Sequence, residues 1–146
     1  MNLCRRNRAP AAVITIDLDR FKLINDQHGH EAGDDVLRRF GRLAHAHFRG
    51  ADVVARFGGD EFCVLSSNLT AGQVTEALNG LQLAFAESAL ATRYPYLSWS
   101  AGFAVFDPQS GLTLDDLLRL ADARMYCAKA EGRAALARPR ASSSSG

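Results

Sequence analysis

The stretch Arg56-Phe57-Gly58-Gly59-Asp60-Glu61-Phe62 stands between two β-prone apolar runs, Val53-Val54-Ala55 and Cys63-Val64-Leu65. Two such runs joined through a Gly-Gly pair predict a tight hairpin, because glycine accepts the positive φ that such turns need. Two acidic side chains then stand at the tip, where desolvation is costly unless a cation or a proton compensates. Alternation along a strand predicts that Asp60 and Glu61 point to opposite faces and hold different roles. Taken alone, the heptapeptide also reads as an acidic hairpin tip held in water.

Upstream of the hairpin, residues 11–18 are apolar and β-branched and end in acid, which predicts a central strand. Asp19 precedes Arg20-Phe21-Lys22-Leu23-Ile24, a short helical pattern, and so reads as an N-cap. Asp17 has no such structural explanation, and a carboxylate at the end of a buried strand is a site candidate. After a turn at Gly29, residues 31–48 carry Val36, Leu37, Phe40, Leu43 and Ala44 as the apolar stripe of a helix. His45 and His47 near its end have no Cys or acidic partner at ligand spacing and read as surface residues.

Downstream, residues 70–90 predict a helix with Val74, Ala77, Leu78, Leu81 and Phe85 on one side. Residues 96–106 are aromatic and β-rich and predict one or two strands around Gly102. Residues 113–131 predict the last helix, with Leu114, Leu117, Leu118, Ala121 and Met125 inward and Gly132 ending it. The order strand, helices, hairpin, helix, strand, helix predicts an α+β fold, a mostly antiparallel central sheet flanked by helices. Residues 11–136 form that domain. Residues 1–10 are a basic tail or the end of an upstream linker, and residues 137–146, rich in Ser, Pro and Arg, read as disordered.

At 146 residues the chain is one domain with room for a real core. A net charge of +1 argues against a general polyanion or nucleic-acid binder, so any phosphate binding must be local. Cys4, Cys63 and Cys127 are odd in number and lack metal-type spacing, so they read as free thiols in a reducing cytoplasm. No apolar run approaches bilayer length and no signal peptide is visible, so the expectation is a cytoplasmic protein without direct membrane contact.

Gly58-Gly59-Asp60-Glu61-Phe62 is the name-giving pentapeptide of the GGDEF family, and the chain resembles a diguanylate cyclase catalytic domain from Val13 to Arg133. The resemblance implies a fold shared with nucleotidyl cyclases and polymerase palm domains, and the joining of two GTP molecules into cyclic di-GMP. In that reaction a 3′-hydroxyl attacks an α-phosphate while pyrophosphate leaves. Divalent ions, Mg²⁺ or Mn²⁺, held by carboxylates serve both partners. The resemblance makes the side chains of Asp17 and Asp60 and the Leu18 carbonyl metal ligands. Glu61 is then a second-ion ligand or helps to deprotonate the hydroxyl, and with Asp60 forms the catalytic pair.

Phe21-Lys22-Leu23-Ile24-Asn25-Asp26 and Gly29-His30-Glu31-Ala32-Gly33-Asp34 match the family's GTP-binding segments, with Asn25 and Asp34 at the guanine-reading positions and Phe21 and Lys22 beside them. A carboxylate accepts from guanine N1–H and N2 and repels adenine N1. Asp34 also reads as a capping or first-turn acid. Lys129 and Arg133 lie in Tyr126-Cys127-Ala128-Lys129-Ala130-Glu131-Gly132-Arg133, which resembles the family's closing motif and implies contacts to the β- and γ-phosphates. Both are also favourable charges at a helix C-terminus.

Arg49-Gly50-Ala51-Asp52, with five residues between Asp52 and Gly58, resembles the family's inhibitory site, where cyclic di-GMP binds away from the catalytic pocket. Taken alone, Arg49 and Asp52 read as a surface ion pair. Members often add an arginine from the helix after the hairpin. Residues 70–90 contain neither Arg nor Lys, which implies weak inhibition or another dimer geometry. The family's Leu-Thr and Asn-Arg entry pattern is not found, which implies that the N-terminal boundary and an upstream sensor or dimerising segment lie outside this chain. The expected enzyme is a homodimer with one GTP per subunit, since a two-fold product suits a C₂ pair of half-sites. The alternative is a catalytically silent receptor for cyclic di-GMP or GTP. A cyclase using ATP is the third reading, and Asn25 and Asp34 count against it.

Overall fold

Nine consecutive residues form β1 (Ala11–Asp19), and all but Asp17 and Asp19 are buried. A strand covered on both faces needs such a continuous apolar run. The computed structural model describes residues 11–48, 53–67, 69–107 and 109–136, with side chains as far as Glu131. The tails assigned to residues 1–10 and 137–146 lie outside the described residues, as do Arg49 and Asp52.

The sheet has four strands in the order β2-β3-β1-β4, where β2 is Val53–Gly58, β3 is Glu61–Ser66 and β4 is Ser98–Phe106. Every pairing is antiparallel. On one face lie α1 (Phe21–His28), α2 (His30–His47), α3 (Ala71–Ala86) and α4 (Ala89–Arg93). Ala12, Ile14, Ile16 and Leu18 of β1 point into this larger core. Phe40 of α2 sits at its centre, 5.3 Å from the Phe62 ring, 6.0 Å from Trp99 and 6.1 Å from Phe85. The opposite face is covered by α5 (Leu114–Leu136), whose Leu117 and Ala121 meet Ala11, Val13 and Ala104.

Helix α5 lies directly on β4. A Cβ on Gly102 would stand 2.2 Å from the Met125 nitrogen and 2.3 Å from the Ala121 carbonyl oxygen. Glycine is therefore the residue that lets helix and strand backbones touch. Arg124 adds a hydrogen bond of 2.8 Å from Nη1 to the Phe103 carbonyl. Gly29, at φ 88°, makes the left-handed joint between α1 and α2.

Several sequence expectations shift. The single helix expected over residues 70–90 divides at Glu87 and Ser88, because Ser88 caps a new turn by accepting from Ala91 N–H. Its start is fixed by a capping box that Thr70 and Gln73 close. The residues around Gly102 form one strand. The last helix runs through Gly132 to Leu136 instead of stopping there; an interior glycine costs only about 1 kcal/mol relative to alanine, which a packed helix absorbs.

Candidate active site

The site begins at the C-terminal end of β1. Strand register sets Asp17 opposite Glu61 of β3 and Ser100 of β4, so these side chains share the α5 face of the sheet. The hairpin tip reaches one step further. Leu18 N–H donates to the Asp60 carbonyl oxygen at 3.1 Å, tying the turn to the strand end, while the Leu18 side chain is buried in the larger core. Arg56 Nη1 donates to the Gly59 carbonyl at 3.2 Å and braces the turn from the other arm.

This geometry corrects the alternation expected for Asp60 and Glu61. Asp60 lies in the turn, outside the strand's two-residue period, and Glu61 is the first residue of β3. Both carboxyls therefore sit beside Asp17. The glycine pair also differs from expectation: Gly58 is near-extended at φ 158° and Gly59 is not at positive φ. A register shift between Arg56 and Gly58 closes the hairpin instead. Among the described residues, chain neighbours aside, no group comes within 4 Å of a Cβ placed on Gly58 or Gly59, which leaves the tip open.

The carboxyls of Asp60 and Glu61 resist ionisation. Burial, then the charge of Asp17, then a side-chain hydrogen bond with Asp17 raise the Asp60 pKa above its ordinary value. Burial, then Asp122, Asp17 and Asp60, raise that of Glu61. The compensating cation comes from α5. Lys129 Nζ donates to Asp17 Oδ2 at 2.5 Å and lies 3.4 Å from Asp19 Oδ1. Burial works against its ammonium, but the hydrogen bond and charge of Asp17, with Asp19, prevail and raise the Lys129 pKa.

Asp19 is not an N-cap. The residue entering α1 is Arg20, in the left-handed region at φ 65°, with no side-chain cap. Asp19 instead turns to β4, where its Oδ2 accepts from Ser98 Oγ at 3.2 Å and Ser100 Oγ at 2.9 Å. Asp122 is the second acid that residue-by-residue reading misses. It sits seven positions before Lys129 on α5, hence on the same helix face, and its Oδ1 is buried without a hydrogen-bond partner among the described residues. That spacing was the available signal.

On the other side of β1, Phe21 is buried, and the Oδ1 of the half-buried Asn25 has no partner among the described residues. Gly33 of α2 makes room for both: a Cβ there would meet Asn25 Oδ1 at 1.9 Å and Phe21 Cζ at 3.1 Å. Asp34 and Lys22 are exposed. Asp34 is beyond the first turn of α2, whose first-turn acid is Glu31, and it makes no side-chain hydrogen bond or ion pair among the described residues. Arg133 lies in α5, but its side chain is outside the described residues.

Among the described residues no three His, Cys, Asp or Glu side chains form a ready metal cluster; the Lys129 ammonium occupies Asp17. The donor set nevertheless suits a hard divalent ion. Asp17 Oδ1 is buried without a hydrogen-bond partner, and every candidate ligand is oxygen. Cys63 and Cys127 are free thiols, the first half-buried on β3 and the second exposed. No described helix is long and apolar enough to cross a membrane.

Comparison with known proteins agrees with this arrangement. Residues 1–135 match the family described as diguanylate cyclase, GGDEF domain. A diguanylate cyclase of Vibrio cholerae is 31% identical over 129 residues, covering 88% of this chain and 40% of the relative. The cyclic di-GMP phosphodiesterase PdeR of Escherichia coli is 39% identical over 126 residues, covering 83% of this chain and 18% of the relative. The chain thus spans well under half of either protein. The solved active GGEEF domain of a Vibrio cholerae diguanylate cyclase superposes with a TM-score of 0.81 at 30% identity, covering 90% of this chain and 83% of that one. The match takes in the hairpin that carries Asp60, the strand end that carries Asp17 and the helix that carries Lys129, and the chain belongs to the GGDEF family of diguanylate cyclase domains.

Proposed function

We propose that the chain condenses two GTP molecules into cyclic di-GMP, releasing two pyrophosphates, as a homodimer with one GTP per subunit. The observation that carries this reading is the convergence of Asp17, Asp60 and Lys129 at one end of β1. A 3′-oxygen forms a bond to the α-phosphorus of the second GTP, the bond from that phosphorus to the pyrophosphate breaks, and the hydroxyl proton leaves; the step then repeats in the other direction. Magnesium or manganese, when bound, neutralises phosphate charge and acidifies the attacking hydroxyl. Asp17, Asp60 and the Leu18 carbonyl would hold it, and Glu61 either joins them or takes the hydroxyl proton.

Lys129 and Arg133 steady the β- and γ-phosphates, while Asn25 and Asp34 read the guanine edge and Phe21 and Lys22 flank it. The bare Gly58-Gly59 tip lets the triphosphate approach the backbone. Arg49 and Asp52 form a separate product-binding site that feeds back on activity, and the protein works in the cytoplasm beside a sensor or dimerising segment.

Incubation with GTP and Mg²⁺, followed by mass identification of products, tests the assignment. Cyclic di-GMP is expected, and Asp60→Ala should abolish it by removing a ligand and the turn's contact with Asp17. A linear product or none, with GTP still bound, favours a silent receptor, a reading kept in view because one relative is named a phosphodiesterase. Arg49→Ala should relieve inhibition by product; unchanged inhibition removes the feedback site.

A further inference from the structure

The mechanism above leaves Asp19 without a task, yet its surroundings are specific. It is 18% exposed at the end of β1, on the same face as Asp17 two residues earlier. One carboxylate oxygen, Oδ2, is occupied by the hydroxyls of Ser98 and Ser100. The other, Oδ1, is buried, has no hydrogen-bond partner among the described residues, and faces Lys129 Nζ at 3.4 Å. The loop that follows is fixed as well: Arg20, at φ 65°, donates from Nη1 to the Tyr96 carbonyl at 2.8 Å and to Ser98 Oγ at 3.4 Å. Two serines thus set the carboxylate's rotation, so that its free oxygen points at the ammonium.

We infer that Asp19 is a positioning residue for Lys129: it keeps the ammonium at the phosphate end of the site when Asp17 is drawn into binding a divalent ion. Lysine is a point charge on a four-carbon stem and loses substantial rotamer entropy when held. Asp17 cannot serve the ion with all its lone pairs and also restrain Lys129 fully. Asp19, anchored from β4, is the remaining restraint. The ammonium has three protons, so one can stay on Asp19 while others turn to triphosphate oxygens.

This inference rests on the reading of Lys129 as a triphosphate contact, and a double-mutant cycle in binding tests it separately from turnover. A non-hydrolysable GTP analogue with Mg²⁺ is titrated calorimetrically into wild type, Asp19→Asn, Lys129→Met and the double variant. Asp19→Asn keeps an acceptor for the serines and removes the charge. It should weaken binding about tenfold, as loss of an outer partner of a site typically does, and raise KM for GTP far more than it lowers kcat. In the Lys129→Met background the same change should have almost no effect.

Equal losses in both backgrounds overturn the inference, because a carboxylate acting on the bound ion through its charge would be felt with or without Lys129. Should Asp19→Asn fold poorly, Ser100→Ala decides: it frees one side of the carboxylate and should weaken binding by a smaller factor that also vanishes with Lys129→Met. Wild type that binds the analogue but makes no cyclic product sinks the cyclase reading and leaves this cycle readable. Wild type that does not bind the analogue overturns both.

Discussion

Asp60 carries a carboxyl whose surroundings favour its protonated form, since burial and Asp17 both raise its pKa. A carboxyl with a folded pKa above its unfolded value holds its proton longer in the native state, so stability falls as pH rises from the unfolded value, 3.8, through the raised one. The full cost persists above that window. Glu61 behaves alike from 4.5 upward. Lys129 slopes the same way in a higher window: its raised pKa contributes stability that is full below 10.5 and is lost as pH climbs through the folded value. Asp60→Asn should therefore stabilise the ligand-free protein at pH 7 by on the order of 0.5 kcal/mol, the scale of charge optimisation at a strained site. The gain should shrink toward zero as pH falls below about 4, where wild-type Asp60 is itself protonated. Thermal melts of both proteins at the two pH values check this, and a variant less stable at neutral pH would show that the carboxyls are not in conflict. Asp17 and Asp60 were legible in sequence because a strand ending in acid and a Gly-Gly-Asp-Glu turn are local patterns. Asp19 was not, because its partners Ser98 and Ser100 lie 79 and 81 residues away and the local rule of an acid before a helix answered first.

At the level of elements, two glycines that look alike in sequence should respond in opposite ways. Gly102 faces backbone: an added methyl meets the Met125 nitrogen at 2.2 Å and the Ala121 carbonyl at 2.3 Å, and neither can rotate away. In Gly102→Ala, α5 must lift from β4, which should cost about 3 kcal/mol by overpacking and displace Lys129 with the helix. Gly33 faces the end of a flexible side chain, Asn25 Oδ1 at 1.9 Å. In Gly33→Ala the asparagine swings aside while the helix gains up to about 1 kcal/mol of propensity. Denaturation should show that variant close to wild type, with affinity for a GTP analogue roughly tenfold lower, as when one polar contact of about 1.4 kcal/mol is lost. Undiminished affinity would remove Asn25 from the guanine site. The helices and strands were readable from periodicity. Their exact ends were not, because Ser88 could restart a helix and packing could carry α5 past Gly132. The contact of Gly102 with α5 was hidden for the same reason, since it depends on which helix crosses which strand.

For the whole molecule, the decisive feature is that one chain holds one copy of the Asp17, Asp60 and Lys129 set at a single end of β1. In the proposed reaction the two-fold symmetric product needs each GTP to act once as attacker and once as target, so that reaction requires two such ends to face each other. Near-balanced charge, 17 basic against 16 acidic residues, puts no strong long-range repulsion in the way of that encounter. Binding and turnover then depend differently on chain concentration. On the proposed reading each subunit would bind a GTP analogue by itself, so occupancy per chain should be independent of concentration. Cyclic product per chain should rise in proportion to concentration while dimers are scarce and level off once they dominate, which mass action requires of an obligate pair. Fusing a parallel coiled coil to the N-terminus should lift the dilute rate to the plateau, because a short tether supplies an effective concentration in the mM range. Initial rates measured over about a hundredfold range of chain concentration, with and without the fusion, separate the possibilities. A rate per chain that stays flat in both series would mean that one subunit completes the reaction alone, and the paired half-site reading would fall.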